Sequence, residues 1–444
     1  DVLRKARSNY APMCLGATTD RMELQAVSTQ SDQDTDGDDV AADIMDESGF
    51  AAQFKDMLDY LFSMGESYLM GVPGIGGGLP TIHAIDPRRC IGIRDPKNPT
   101  RLAAALVREF DEITNEQVAY MFLPGKKYEH RQKPGTTRWE LVKPNEDEDV
   151  EFETITGLDA LGGIPIVRFD NKNGLGEYEP HIDLLDRIND TTLQRIVGFW
   201  YQALRQRAVS GDEDEDEDDF NDEEDGLVPD DDERVKPVDW DKIALQSGPG
   251  SLWKFPKDFT VWESQQTDFG PFINAKRDDV KEFAALTSTP LYLVTPDDAN
   301  GSALGAGLQR ESATSKVRDR RARIAPGLKL FWRILFALNG EADRGNTLRL
   351  HWGPIEFLSL AEQASASPQA ADTLSLVDRC ERIWQMSPAE SKRNRQRLDA
   401  ERIMAAQVAS TVVQRGATGT GQATPLQQAE QQTAAVQSPA SPAA

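Results

Sequence analysis

Residues 212–233 place the strongest constraint on the fold, because they carry 16 aspartates and glutamates and no lysine or arginine. Dense like charge repels itself and cannot pack into a core, so this stretch predicts a solvated loop. It also supplies most of the net charge of −25. A general nucleic-acid-binding protein is expected to be basic, so the composition does not indicate a protein that grips DNA tightly.

An amphipathic helix is predicted on each side of the acidic run. The first begins near Pro180 and continues to about Arg207, with apolar residues at three- and four-residue steps. The second begins near Asp268, a possible cap, and ends before Pro290. Each helix has one apolar stripe and polar remaining faces. We call these two helices the rods; their pattern fits two members of an ordinary bundle or, where several copies assemble, the staves of a shared barrel.

Short strands are predicted between an N-terminal helix at residues 49–72 and the first rod. Apolar and polar residues alternate, and Asp-Pro, Asn-Pro and Pro-Gly turns separate the segments. The pattern predicts an antiparallel meander at residues 81–85, 91–94, 102–110, 117–123 and 127–130, with a further strand at 164–169. Shorter strands are expected at 243–245 and 259–262.

The second half of the chain predicts a long helix at residues 302–338, about 50 Å in length and bent at Pro326. A short apolar piece at 291–294 precedes it, and a strand at 348–352 follows. Small helices are expected from residue 360 to about 408. The tail after Gly416 has few large apolar residues and is predicted to be disordered. Helices and antiparallel strands together indicate an α+β class.

Two groups of polar residues are candidate functional sites. A turn-rich loop precedes the long helix and contains Asp297, Asp298, Asn300, Gly301 and Ser302. Its aspartates would repel phosphate, whereas lysine or arginine would bind it. The middle of the helix is basic, and charge runs of this kind commonly pair with acidic surface. Its members are Lys316, Arg318, Arg320, Arg321 and Arg323.

The metal-like pattern is a weak calcium-loop candidate formed by Asp32, Asp34, Asp36 and Asp43. Alternate carboxylates around a glycine suit calcium, but aspartate replaces the usual final glutamate, so a flexible acidic hairpin is favoured. No nucleophile elbow, phosphate loop or paired Cys/His cluster is present, so no catalytic residue and no cofactor is predicted. No apolar run is long enough to predict a membrane span.

Several short motifs occur in an order that resembles the portal proteins of long-tailed phages, especially those of Gram-positive hosts. The most specific is GIPIVRFDN at residues 163–171, ahead of the first rod. The others are YLFSMGESYLMGV at 60–72, the Asp-Pro pairs within 81–106, Thr-Ser-Thr-Pro at 287–290, Asn-Gly-Ser at 300–302, the strand 348–352 and Ser-Leu-Ala-Glu at 359–362. The acidic run has no counterpart in the family pattern, and the helix that usually precedes residue 2 is missing.

The resemblance implies an α+β portal fold. It has a discontinuous wing domain (antiparallel sheet plus helices), two stem helices, a small α/β clip, a long kinked helix behind a tunnel loop, and a helical crown. The implied divisions are wing 1–181, first stem helix 182–207, clip with acidic insert 208–262, second stem helix 263–290, tunnel loop, kinked helix and last wing strand 291–360, crown 361–415 and disordered tail 416–444.

The resemblance also implies a ring, usually a dodecamer, at one capsid vertex of the virion. Double-stranded DNA passes through such a ring without sequence specificity. The implied partners are the major capsid protein, the large terminase subunit and a head-tail adaptor protein. Assembly would take place in the host cytoplasm, without a membrane. Residues 297–302 would form the tunnel loop, and the basic helix would contact a neighbouring subunit or DNA. A phage scaffold or adaptor protein is the alternative, followed by a metal-dependent nuclease.

Overall fold

The computed structural model describes residues 2–29, 37–144, 150–203, 207–210, 260–263, 268–294, 303–356 and 358–417. It contains two compact units. One comprises residues 1–8 and 186–280, and the other comprises residues 9–185 and 281–444. Helices and antiparallel strands occur together, which confirms the predicted α+β class. No helix within these ranges is both long and apolar enough to cross a membrane.

The helices vary from a single turn to more than thirty residues. In chain order they are α1 Val2–Ala6, α2 Tyr10–Thr19, α3 Asp39–Glu47, α4 Phe50–Met64, α5 Ile182–Ala203, α6 Gly270–Leu286, α7 Leu291–Val294, α8 Ala303–Leu338, α9 Leu360–Gln369, α10 Leu376–Arg382 and α11 Pro388–Ala417. The predicted long helix is confirmed as α8, with Pro326 in its interior.

The strands pair only in antiparallel fashion in the described ranges. They are β1 Leu24–Thr29, β2 Glu66–Val72, β3 Thr81–Ile85, β4 Cys90–Asp95, β5 Asn98–Asp111, β6 Glu116–Leu123, β7 Lys126–Gln132, β8 Glu140–Val142, β9 Glu153–Thr154, β10 Ile166–Asp170, β11 Arg207–Ser210, β12 Thr260–Glu263 and β13 Leu348–Trp352. The largest sheet has the order β4-β5-β6-β7-β8, with β9 on β7, and confirms the meander. The others are β10-β2-β3, β1-β13 and β11-β12.

The main core of the larger unit lies where α4 and α8 pack against the β10-β2-β3 sheet. Helix α8 approaches the sheet closely because two glycines leave room. A Cβ on Gly71 of β2 would lie 3.0 Å from Leu335, and a Cβ on Gly327 of α8 would lie 2.7 Å from the ring of Phe169. The apolar second half of α8 is consequently buried, which fixes the long helix to the sheet.

The meander sheet is attached to the rest of the larger unit through its edge strand β4. At Gly92 the backbone N–H donates to the hydroxyl of Tyr68 (3.1 Å) and the carbonyl accepts from Arg168 (3.1 Å). These side chains occupy backbone groups that an unpaired edge would leave open to another strand. Tyr68 is fully buried and packs in a second apolar cluster with Val107 and Phe122. One face of the meander is therefore covered by its own chain.

The prediction of one helix over residues 49–72 is wrong in its second half. Helix α4 ends at Met64 because Gly65 adopts a left-handed conformation with φ +84°, and the following residues form β2. Strand β2 is central in its sheet and buried on both faces, so its apolar residues form a continuous run. Such a short run cannot be distinguished from a buried helix by periodicity alone.

Other boundaries also differ from the sequence prediction. The first rod ends at Ala203, and Arg207 begins a strand. The apolar piece at 291–294 is a helical turn, and the last helix continues to Ala417, beyond the expected end near residue 408. Strand β12 confirms the strand expected at 259–262. The expected strand at 243–245 lies outside the described residues, as does the chain from residue 418 onward.

Replacing Gly65 with alanine should lower the free energy of unfolding by about 2–4 kcal/mol. The added Cβ would be strained by the positive φ and would lie 2.3 Å from the carbonyl oxygen of Gly174. Gly76→Ala is the matched control, since Gly76 also has a positive φ (+66°) but open space around it. It should cost only about 1 kcal/mol. Urea midpoints measure both, and equal losses would contradict the steric argument.

Candidate functional site

The acidic loop predicted as a functional site, residues 297–302, lies outside the described residues. So do Asp32, Asp34 and Asp36 of the calcium-loop candidate, whereas Asp43 is exposed on α3. Among the residues that are described, no three His, Cys, Asp or Glu side chains are grouped closely enough to hold a metal ion. The site that the structure does define is at the basic middle of α8.

Two of the basic residues on α8 converge on one buried carboxylate, Glu177. The Nζ of Lys316 lies 2.9 Å from Oε2, and the Nε of Arg320 lies 2.6 Å from Oε1. Arg320 also donates from Nη2 to Oε2 at 3.2 Å. The side chains of Glu177, Lys316 and Arg320 are 4%, 11% and 11% exposed. We call this cluster, together with Asn171 and Thr287, the Glu177 junction.

The loop that carries Glu177 is held against the end of α4. The N–H of Glu177 donates to the carbonyl of Phe62 (2.7 Å), and a Cβ on Gly176 would lie 2.3 Å from the carbonyl of Ser63. Asn171 donates from Nδ2 to Leu175 O (2.8 Å) and to Glu177 Oε1 (3.1 Å). The loop therefore presents the carboxylate in one position, just before α5 begins.

The end of α6 also contacts the junction. The Thr289 N–H donates to Ala284 O (2.8 Å) and the Ser288 N–H to Ala285 O (3.3 Å), which together form a Schellman motif. Ser288 takes the left-handed position, φ +54°, where glycine is usual. The carbonyl of Thr287 accepts a hydrogen bond from Lys316 Nζ at 2.8 Å. A cation at a helix C-terminus also favours the helix dipole.

The charges at the junction favour the ionised form of Glu177. Burial by itself would raise the pKa of this carboxyl, but the hydrogen bonds and charges of Arg320 and Lys316 outweigh it, so the pKa lies below its usual value. A neighbouring carboxylate, Asp319, accepts from Arg320 and from Arg323 (2.9 Å). Lys316, Arg320 and Arg323 thus have carboxylate partners within their own chain.

The remaining two basic residues behave differently from each other. Arg321 donates to the carbonyl of Arg21 and lies over the ring of Trp352, 5.1 Å from its centroid. Burial lowers the pKa of Arg321 to about 10. Arg318 is exposed and lines a cavity of about 550 Å³. Contact of the basic residues with a neighbouring subunit or DNA stays a prediction, but four of the five already have partners in the same chain.

Sequence reasoning identified the cations and missed Glu177, their shared partner. A single glutamate in a glycine-rich loop has no periodicity that distinguishes it from a solvated residue. The available signal was its place between a buried strand and a long helix, six residues after Asn171. The sequence alone could not show that α8, more than a hundred residues later, returns to this loop.

In the smaller unit, α5 and α6 run antiparallel. Arg187 near the start of α5 pairs with Asp279 near the end of α6 at 2.9 Å, and Phe199 near the end of α5 stacks on Phe269, with ring centroids 4.1 Å apart. Strands β11 and β12 pair over four residues each, which brings together the two ends of the chain segment between α5 and α6. Both predicted rods are therefore present and flank a closed excursion.

The sequence model of one family, described as "Phage portal protein, SPP1 Gp6-like", matches residues 2–407. No curated protein matches the chain significantly. Among solved structures, a chain from the neck of a native GTA particle, computed with C12 symmetry, is 12% identical with a TM-score of 0.46, over 85% of this chain and 89% of that one. A chain from the virion of a native gene transfer agent particle is 13% identical over the same shares, with a TM-score of 0.45.

Replacing Glu177 with glutamine should lower the free energy of unfolding by about 3–5 kcal/mol, because two largely buried cations lose their charged partner. Asp319→Asn is the matched control. The side chain of Asp319 is 45% exposed, so its ion pairs are screened by solvent. We expect it to cost less than about 1 kcal/mol. Urea midpoints measure both, and a Glu177 variant as stable as the control would contradict this account of the junction.

Proposed function

The chain belongs to the SPP1 Gp6-like family of phage portal proteins, so it forms the channel at a capsid vertex, and from that premise we propose how it does so. Twelve copies assemble into a ring in the host cytoplasm, and the ring becomes part of the virion. The match to a family of portal proteins favours this function over the phage scaffold or adaptor and nuclease alternatives. Phages of Gram-positive hosts remain the expected source.

The antiparallel pair of α5 and α6 is the observation that carries the proposal. An ion pair near one end and a ring stack near the other hold the two helices together. Exposed apolar side chains remain on them, including Phe199 at 51%, Trp200 at 69% and Ile273 at 39%. Large apolar side chains left exposed mark surfaces that another chain can cover. Packed side by side in a ring, such pairs would form a continuous wall.

The charges of the same two helices suit a channel through which DNA slides. Helix α5 carries three acidic and two basic residues, and α6 carries three of each. Each phosphate neutralised by lysine or arginine releases counterions and adds affinity, so a strongly basic wall would hold the duplex. A nearly neutral wall instead lets double-stranded DNA pass without sequence specificity.

The proposed divisions of the chain follow from assigning α5 and α6 to the channel wall. Helices α5 and α6 are the stem, and the excursion closed by β11 and β12 is the clip, which would contact the large terminase subunit and the head-tail adaptor protein. The meander sheet belongs to the wing, near the major capsid protein. Helices α9 to α11 form the crown, and residues 297–302 form a tunnel loop that faces DNA.

Through the Glu177 junction, the proposed tunnel loop is connected to the chain segments next to α5 and α6. Lys316 on α8 bonds to both Glu177 and the carbonyl of Thr287, so the segment entering α5 and the segment leaving α6 are tied to one side chain. The helix that carries Lys316 begins at Ala303, directly after the loop. A displacement of the loop by DNA would consequently act on both stem segments through α8.

The proposal predicts that the purified chain forms rings of twelve copies with a central opening. Negative-stain microscopy would show the opening, and native mass spectrometry would count the copies. A protein that remains a single subunit under assembly conditions would contradict the proposed function.

The tunnel-loop assignment predicts a gain of DNA binding when Asp297 and Asp298 are both replaced with lysine. Cations facing the channel should raise the affinity for linear duplex DNA by about tenfold or more at low salt and make it more salt-dependent. Closed circular DNA is the control, because it has no end to enter a ring. An equal gain for circular DNA would place the loop outside the channel.

A further inference from the structure

The face of the meander sheet turned away from Tyr68 is apolar across four strands. Trp139 and Phe152 cover parts of it, at Arg108 and Tyr128, and leave the β4 side open. In the ladder, Ile91 of β4 lies opposite Leu106 of β5, which lies opposite Met121 of β6, which lies opposite Tyr128 of β7. Residues directly opposite each other in an antiparallel pair point to the same face, so these four side chains form one row. Ile91 is 66% exposed, and the next outward residue, Ile93, is 61% exposed. We call this surface the Ile91 face.

On β4 to β7 the carboxylate of this face is Asp95, which alternates with Ile91 and Ile93 at the end of β4 and accepts a hydrogen bond from the Lys97 N–H (2.9 Å). Its other charged or titratable members on these strands include Arg108, Lys126, Tyr128 and His130. The opposite face of the same strands has the reverse character. It carries Glu109, Asp111, Glu116 and Glu129, and the last three surround Arg131 at 2.7–3.5 Å. The sheet thus has one largely apolar side with more basic than acidic residues and one side with an excess of carboxylates.

An antiparallel sheet with one solvated face normally alternates apolar and polar residues, with the polar ones outward. This meander breaks that pattern, since Val107 and Phe122 of its inner face pack on Tyr68 while Ile91 and Ile93 remain exposed on the outer face. Exposed apolar surface that extends over several neighbouring side chains marks an interaction site.

We propose that the Ile91 face binds a second copy of this chain, and this rests on the ring proposed above. A ring interface is heterologous, so one surface of each copy meets a different surface of the next. The two sides of the meander are complementary in charge, and the chain as a whole is strongly acidic, with a net charge of −25. A face whose basic residues outnumber its carboxylate, which lies at the end of β4, is suited to an acidic neighbour.

The test compares two double variants of the full chain. Ile91→Asp with Ile93→Asp places two carboxylates on the face. Ile75→Asp with Ile113→Asp is the control, because these residues are 98% and 97% exposed and lie in loops outside the ladder. Sedimentation velocity over a concentration series should show that the face variant needs on the order of 100-fold more protein to assemble. The control should assemble like the wild type.

Thermal melts show whether each variant folds. If the double aspartate variant does not fold, the double alanine variant, Ile91→Ala with Ile93→Ala, takes its place in the test. A face variant that folds and assembles like the wild type overturns the inference while leaving the ring intact. Normal rings that fail only to join capsids would assign the face to another protein and also overturn it. A wild-type chain that forms no ring refutes the proposed function itself.

Discussion

One buried carboxylate with two cations, Glu177 with Lys316 and Arg320, is the interaction on which the arrangement of the larger unit depends. Removing charged groups from water is costly unless each is paired, so the two cations on α8 and the loop before α5 must meet. Lys316 also bonds to the carbonyl at the end of α6. Three distant segments are therefore held by a single cluster: the loop before α5, the end of α6 and the middle of α8.

Small glycine positions and apolar packing also hold α8 in place in the larger unit. Gly71 and Gly327 allow α8 to lie close to the central sheet, so the apolar half of the long helix is buried while its basic half reaches the junction. The meander is attached through Gly92, where Tyr68 and Arg168 bond to the backbone. The rest of the larger unit thus covers one face of the meander, and Ile91 and Ile93 stay exposed on the other, as expected of a surface that another chain covers.

Local patterns predicted the meander, the two rods and the long helix, because each depends on the spacing of neighbouring residues. The same reasoning made β2 part of a helix, since a strand buried on both faces has no alternation. The basic residues of α8 were visible in the sequence, but their partner was not, because Glu177 and Arg320 are brought together only by the fold. Likewise, alternation predicted the strand at residues 91–94, and only the ladder showed the apolar row that continues from Ile91 to Tyr128 of β7.

The central claim is that α5 and α6 are the wall of a channel for DNA. A cryo-electron microscopy reconstruction of the assembled protein measures the distance of each helix from the ring axis. The account predicts that these two helices are the elements nearest the opening, with their exposed aromatic side chains against the neighbouring copy. Helices α5 and α6 on the outer circumference, with other elements around the opening, would contradict it.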